Sequence, residues 1–339
     1  MRVEFYFLAF IISVFFTLLI TPIFGSLAIK FKAIDKPSGR KIHRRQIPLW
    51  GGCAIFISIF GTIFILNRIF PEFNTLLFGD SGQILKLLEG IFVGAVVITV
   101  MGIIDDLRGV IPTTKLLGQI IVAMIVMQYG IKIASIRLPF SGTYTELPLY
   151  IAMLVTIIWI TGFINSINLI DGVDGLAGGV VSIAFLIFFI ITLYQTTVQS
   201  APESINRLRF VAVLSLVICG STAGFLKYNF PPAKIFLGDS GSLLLGFLAG
   251  VITITGILKT AGALTLIVPV LVFGVPLMDA LFSFIRRIVT NKSFMTADRE
   301  HLHHRLLYQR GWNAKKVDYT IYAVTAGLGL IAVLITLLR

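Results

Sequence analysis

Residues Val3–Ile29 read VEFYFLAFIISVFFTLLITPIFGSLAI, and Glu4 is the only charge among them. A membrane-crossing helix needs roughly 20 predominantly apolar residues, so this run is long enough to cross a bilayer. It exceeds the ~7–15-residue core of a secretory signal and lacks a small-residue cleavage site, so it reads as a retained span. Nine further apolar runs follow, at 49–69, 88–104, 116–131, 148–165, 175–194, 209–227, 241–258, 263–285 and 319–338. Pro22, Pro269 and Pro276 fall within runs, and 263–285 is the segment expected to be bent or broken. Of the 339 residues 57% are hydrophobic and 13% charged, against about 25% charged in ordinary globular domains. The fold expected is an all-α polytopic integral membrane protein with about ten transmembrane helices.

The formal net charge is +12. The two richest basic stretches lie between apolar runs, so anionic headgroups and a phosphorylated substrate are the expected partners, and nucleic acid is not. Segments 30–48, 105–115, 166–174, 227–240 and 286–318 fall on one side and hold 19 of the 28 Lys and Arg residues. The positive-inside bias makes that side cytoplasmic and puts both termini outside. Cys53 and Cys219 both sit in apolar runs and read as packing thiols.

The polar motifs map onto the same five segments. Asp105-Asp106 ends a span, and adjacent carboxylates near a membrane either share a proton or face a cation such as Mg²⁺. A solvated loop cap is the plainer reading of such a pair. The run Asn165-Ser166-Ile167-Asn168-Leu169-Ile170-Asp171-Gly172-Val173-Asp174-Gly175-Leu176 repeats an amide or acid every third residue. That spacing lines one edge of a tight turn or short helix with oxygen ligands for Mg²⁺, ribose or base edges. Phe236-Leu237-Gly238-Asp239-Ser240-Gly241-Ser242 opens a span with a glycine-framed acid at a helix N-terminus, suited to a metal and to phosphate oxygens. The external copy Gly79-Asp80-Ser81-Gly82 reads as a plain turn.

Three of the four histidines lie in Asp298-Arg299-Glu300-His301-Leu302-His303-His304-Arg305. No acid or cysteine follows at zinc spacing, so phosphate contact or proton transfer fits these imidazoles better. The basic loop 35–52 contains His43, Arg44 and Arg45 and closes on Gly51-Gly52; anchoring to anionic lipid would explain most of it.

In this order the motifs resemble the polyprenyl-phosphate N-acetylhexosamine-1-phosphate transferases (MraY/WecA/TagO-like, glycosyltransferase family 4). The likeness runs from about residue 35 to 310. The His301–Leu306 form is similar to the WecA/TagO branch, which takes UDP-N-acetylglucosamine, because Leu302 interrupts the three consecutive histidines of the muramyl-pentapeptide branch. The resemblance implies a single transmembrane catalytic domain over 1–339 in a bacterial cytoplasmic membrane. The implied reaction moves N-acetylglucosamine-1-phosphate from a UDP-sugar to undecaprenyl phosphate and releases UMP. Mg²⁺ is the implied cofactor, with Mn²⁺ as the alternative ion, and a homodimer is the implied assembly.

Carried over residue by residue, Asn168 and Asp239 look like the metal ligands. Asp105 would deprotonate or position the lipid phosphate, with Asp106 beside it. Asp174, Asn229 and Phe236 match positions that hold uridine, and Asn165 and Asp171 belong to the same substrate loop. Arg287, His301, His303 and His304 would contact the sugar-phosphate, and His43, Arg44 and Arg45 lie where phosphate is approached. Two rival classes fit these residues less well. A transporter or lipid flippase would place its acids near the midplane, not at one face. A CDP-alcohol phosphotransferase needs Ala-Arg where Asp171-Gly172-Val173-Asp174 is followed by Gly175-Leu176.

Overall fold

The computed structural model describes residues 3–35, 46–70, 82–137, 144–256, 267–290 and 300–338. His43, Arg44 and Arg45 lie outside the described residues, as do Gly79, Asp80 and Ser81 of the external copy. The helices are α1 (Val3–Lys30), α2 (Gly51–Ile69), α3 (Gln83–Arg108), α4 (Pro112–Gln128), α5 (Leu149–Ile170), α6 (Leu176–Val198), α7 (Pro202–Asn229), α8 (Gly238–Gly256), α9 (Ile267–Val272), α10 (Gly274–Val289), the short α11 (Leu302–His304) and α12 (Ala314–Leu337). Among the described residues, eight of them are long and apolar enough to cross a membrane: α1, α2, α3, α5, α6, α7, α8 and α12. The protein is therefore a multi-pass membrane protein, as its ten apolar runs predict. The strands described are two short antiparallel ladders, Ile34–Asp35 with Ile47–Pro48 and Ser135–Arg137 with Tyr144–Glu146.

The ninth run is broken where its prolines predict. α9 ends at Val272 and α10 begins at Gly274, with Phe273 between them. Pro276 falls in the first turn of α10, where a missing N–H leaves no helical bond unmade. The break is buried, with Phe273 edge-on to Phe163 and Phe185 at ring-centroid distances of 5.3 and 5.6 Å.

α8 is the central helix, buried from Ser240 to Gly256, and packs against α3, α5 and α2. A helix that is apolar all round belongs inside a bundle. Small residues set the approach: a Cβ on Gly246 would lie 2.5 Å from Ile164 Cα of α5. α7 packs on α1 and α6, and a hydroxyl ladder joins α1, α2 and α7, with Thr17 donating to Ser58 at 2.6 Å and Ser58 3.0 Å from Ser221.

The helices run further than the apolar runs. Asp105 and Asp106 lie in the last turns of α3, Asn165 and Asn168 in α5, Asn229 at the end of α7, and Asp239 in the first turn of α8. The connections carrying the motifs shrink to 109–111, 171–175 and 230–237. Helix ends continue through polar residues because those side chains find partners on neighbouring helices.

Candidate active site

The site is built around the N-terminus of α8, whose first backbone N–H groups have no partner within the helix. Gly238 turns the chain into the helix with φ 73. Asp106 reaches across from α3 and accepts from Asp239 N at 2.7 Å and Ser240 N at 3.2 Å. Asp106 thus caps α8, which ties both its oxygens to the scaffold. Two glycines let neighbouring backbones close on this point. A Cβ on Gly102 of α3 would lie 2.4 Å from Ser240 Cα, and one on Gly52 of α2 would lie 2.1 Å from Gly241 N. Gly51 and Gly52 also donate to the carbonyls of Phe236 and Leu237 at 3.0 and 2.9 Å, and Phe236 N donates to Pro48 O at 2.9 Å. The closing glycines of the basic loop therefore belong to the site's frame, and Phe236 is fixed by its backbone.

Beside this cap, α3, α4, α5 and α8 bring four polar side chains together. Asp105 is buried; its Oδ1 accepts from Val110 N at 2.7 Å and its Oδ2 pairs with Lys115 Nζ. The same ammonium stands 3.4 Å from Asp239 Oδ2. Asn168 Nδ2 donates to Asp239 Oδ1 at 2.7 Å and to Ser242 Oγ at 2.8 Å. Asn165 is turned away, its Nδ2 donating to Gln119 Oε1 of α4 at 2.7 Å. No three His, Cys, Asp or Glu side chains among the described residues gather at metal-ligand distances. Hard oxygen donors are nonetheless present in the Asp239 carboxylate and the Asn168 amide. Mg²⁺ is commonly held by one or two carboxylates completed by substrate phosphates, so this donor set fits the ion.

The loop Asp171–Gly175 forms the next wall. Burial of the Asp171 carboxyl, with Asp239, Asp106 and Asp174 nearby, pushes its pKa well above the ordinary carboxylate range. Asn229 braces the loop from α7, accepting from Gly175 N and donating to Ile235 O, both at 3.0 Å. Asp174 Oδ2 accepts from Ala233 N at 2.9 Å. Two residues of α12 lie behind the loop. Tyr322 OH donates to Gly175 O at 2.6 Å, and Asp318 is fully buried with neither carboxylate oxygen hydrogen-bonded among the described residues.

The histidines approach from the C-terminal side. His301 Nδ1 lies 3.0 Å from Asp279 Oδ2, while Leu302 N donates to Asp279 Oδ1 at 2.8 Å. The His301 and His303 rings are parallel, 5.9 Å apart, and His303 and His304 are 4.2 Å apart. His303 is buried with Nε2 turned to the Asp171–Gly175 loop: a Cβ on Gly172 would lie 2.5 Å from that nitrogen. Burial, and then the neighbouring His304, push the His303 pKa down to about 3, so its ring is neutral at pH 7. Arg287 lies half-buried in the last turn of α10, beside Arg286, whose Nε is 3.3 Å from Glu300 Oε2.

Lys115, Asp279, Asp318 and Tyr322 were not singled out from the sequence. Asp279 carried the clearest signal, as the one ionisable residue in the 263–285 apolar run.

Comparison with known proteins gives the family. Residues 88–257 match glycosyl transferase family 4. A probable undecaprenyl-phosphate N-acetylglucosaminyl 1-phosphate transferase of Bacillus subtilis (strain 168) is 37% identical over 299 residues, covering 88% of this chain and 76% of that protein. A decaprenyl-phosphate N-acetylglucosaminephosphotransferase of Mycobacterium leprae (strain TN) is 32% identical, covering 89% and 76%. A phospho-N-acetylmuramoyl-pentapeptide-transferase of Bacillus subtilis (strain 168) is 31% identical, covering 96% and 94%. With more than two thirds of each relative covered and the acidic motifs gathered at one end of the bundle, the chain belongs to glycosyl transferase family 4 and is a membrane-embedded phosphosugar transferase.

Proposed function

We propose that the protein transfers N-acetylglucosamine-1-phosphate from UDP-N-acetylglucosamine to undecaprenyl phosphate and releases UMP, the first membrane step of an envelope polysaccharide. The observation carrying this reading is the convergence of Asp105, Lys115, Asn168 and Asp239 at the N-terminus of α8. A lipid-phosphate oxygen forms a bond to the phosphorus bearing the sugar. The bond from that phosphorus to the bridging oxygen breaks, and the oxygen leaves with UMP. Asp105 would orient the attacking lipid-phosphate oxygen or take its proton. The Lys115 ammonium and the positive end of the α8 dipole offset the repulsion between two anionic reactants. Asp239 and Asn168 would hold Mg²⁺, which supplies Lewis-acid charge to the diphosphate. The Asp171–Gly175 loop, Asn229 and Phe236 form the wall assigned to uridine, and His301, His303, His304 and Arg287 the sugar-phosphate side. The excess of Lys and Arg on the side of these motifs supports a cytoplasmic site with both termini outside.

UMP release by purified protein in detergent, with undecaprenyl phosphate and Mg²⁺, tests the reading. Lipid-dependent release with UDP-N-acetylglucosamine, at least tenfold faster than with UDP-N-acetylgalactosamine or UDP-muramyl-pentapeptide and lost on chelation, is the expected result. Release that survives chelation removes the metal, and no release from folded protein with any donor removes the reaction.

The brace behind the uridine wall gives a finer expectation. Tyr322→Phe deletes one hydrogen bond to Gly175 O, worth ~1 kcal/mol. KM for the UDP-sugar should rise about fivefold with kcat nearly unchanged. Steady-state kinetics check this; an unchanged KM with a lowered Tm would make Tyr322 a stability residue only.

A further inference from the structure

We propose that Asp279 is a positioning residue for the transfer: it sets the ring orientation and tautomer of His301 and seats the turn that carries the three histidines. The inference rests on the reading of His301 as a substrate contact. Asp279 lies in α10, just past the break of the ninth apolar run, where a carboxylate among apolar neighbours needs a compensating partner. Both its oxygens are engaged with the histidine turn, Oδ2 with His301 Nδ1 at 3.0 Å and Oδ1 with Leu302 N at 2.8 Å. A carboxylate only accepts, so His301 carries its proton on Nδ1 toward Asp279. Nε2 is then an acceptor, the nitrogen left for a hydroxyl of the sugar-phosphate. The bond to Leu302 N caps α11 at its start, so a single side chain fixes both the ring and the backbone that presents it.

Carboxylate and amide act differently at this position. In Asp279→Asn the Leu302 N–H still needs an acceptor, which the amide oxygen supplies. The amide NH₂ then faces His301 Nδ1 and forces the ring proton onto Nε2. The side chain keeps its size and its helix cap, yet the nitrogen offered to substrate changes from acceptor to donor. A purely structural brace would tolerate this swap.

The test combines ring-¹⁵N NMR of histidine-labelled protein in detergent with UMP-release kinetics of Asp279→Asn, His301→Ala and the double variant. The His301 resonance is assigned by its disappearance in His301→Ala. Native protein should show the Nδ1–H form of His301, and Asp279→Asn the Nε2–H form. Asp279→Asn should lower kcat on the order of 10²-fold with little change in KM, the scale of a misplaced acid–base group. In the His301→Ala background the same substitution should cost no further activity. An equal further loss in that background, or an Nε2–H ring in native protein, overturns the positioning role. Near-native activity of His301→Ala instead overturns the placement of His301 in the site, a failure distinct from the first. The native-ring measurement decides the matter even where Asp279→Asn does not fold.

Discussion

Asp239→Ala should lower kcat for UMP release about 10³-fold or more, from protein that folds normally, because loss of the proposed metal ligand would forfeit several kcal/mol of charge stabilisation. The two expectations separate because α8 is capped by Asp106 and not by Asp239. Removing Asp239 leaves the cap in place, while Asn168 and Lys115 lose the carboxylate they share. Size-exclusion behaviour in detergent should therefore be native and turnover should not. Activity within tenfold of native at saturating Mg²⁺ would take Asp239 out of the metal site.

Gly52→Ala should be nearly as damaging through a different route. The added methyl would lie 2.1 Å from Gly241 N and 2.2 Å from Gly241 Cα, all of it helix backbone with no rotamer to move. The hydrogen bonds of Gly51 and Gly52 to Phe236 and Leu237 hold that approach in register, so α2 and α8 can separate only by breaking them. Overpacking of this kind costs about 3 kcal/mol. It also draws the start of α8 away from Asp106, so at least a 10²-fold loss of activity should accompany a clearly lowered Tm. Gly162→Ala is the control, since nothing lies within 4 Å of a Cβ there, and both readouts should stay native. A Gly52→Ala protein with native Tm and turnover would mean the helices sit further apart than described.

The multi-pass, all-helical class was open to reading from composition because length and apolarity alone decide it, although eight of the described helices, against about ten expected, are long and apolar enough to cross a bilayer. The break in the ninth run was equally legible, since Pro269 and Pro276 cannot continue a helix undisturbed. The motif residues Asp105, Asn168 and Asp239 do meet in space, as their shared side of the membrane suggested. The regular spacing of Asn165, Asn168, Asp171 and Asp174 promised a single edge, and that promise failed in part. Three residues of α-helix rotate a side chain by about 60° short of a full turn, so Asn165 leaves the line and pairs with Gln119. Asp106 reads from the sequence as a catalytic acid beside Asp105; that it also caps α8 depends on where α8 starts, which no local pattern reveals. Lys115, Asp318 and Tyr322 owe their places to contacts between segments far apart in sequence, and an isolated Lys, Asp or Tyr at a span end carries no periodic signal.

The bracing of Gly175 by Tyr322 has a consequence for biosynthesis. The acids at the start of α8 and in the Asp171–Gly175 loop are all made by residue 239, but the tyrosine that braces that loop, and Asp279 with the turn bearing the histidines, emerge from the ribosome after it. A chain halted after α8 would hold these carboxylates without the tyrosine brace or the histidines of the proposed sugar-phosphate side. Such a fragment should be inert toward the lipid carrier, so that turnover begins only with the last helix in the bilayer.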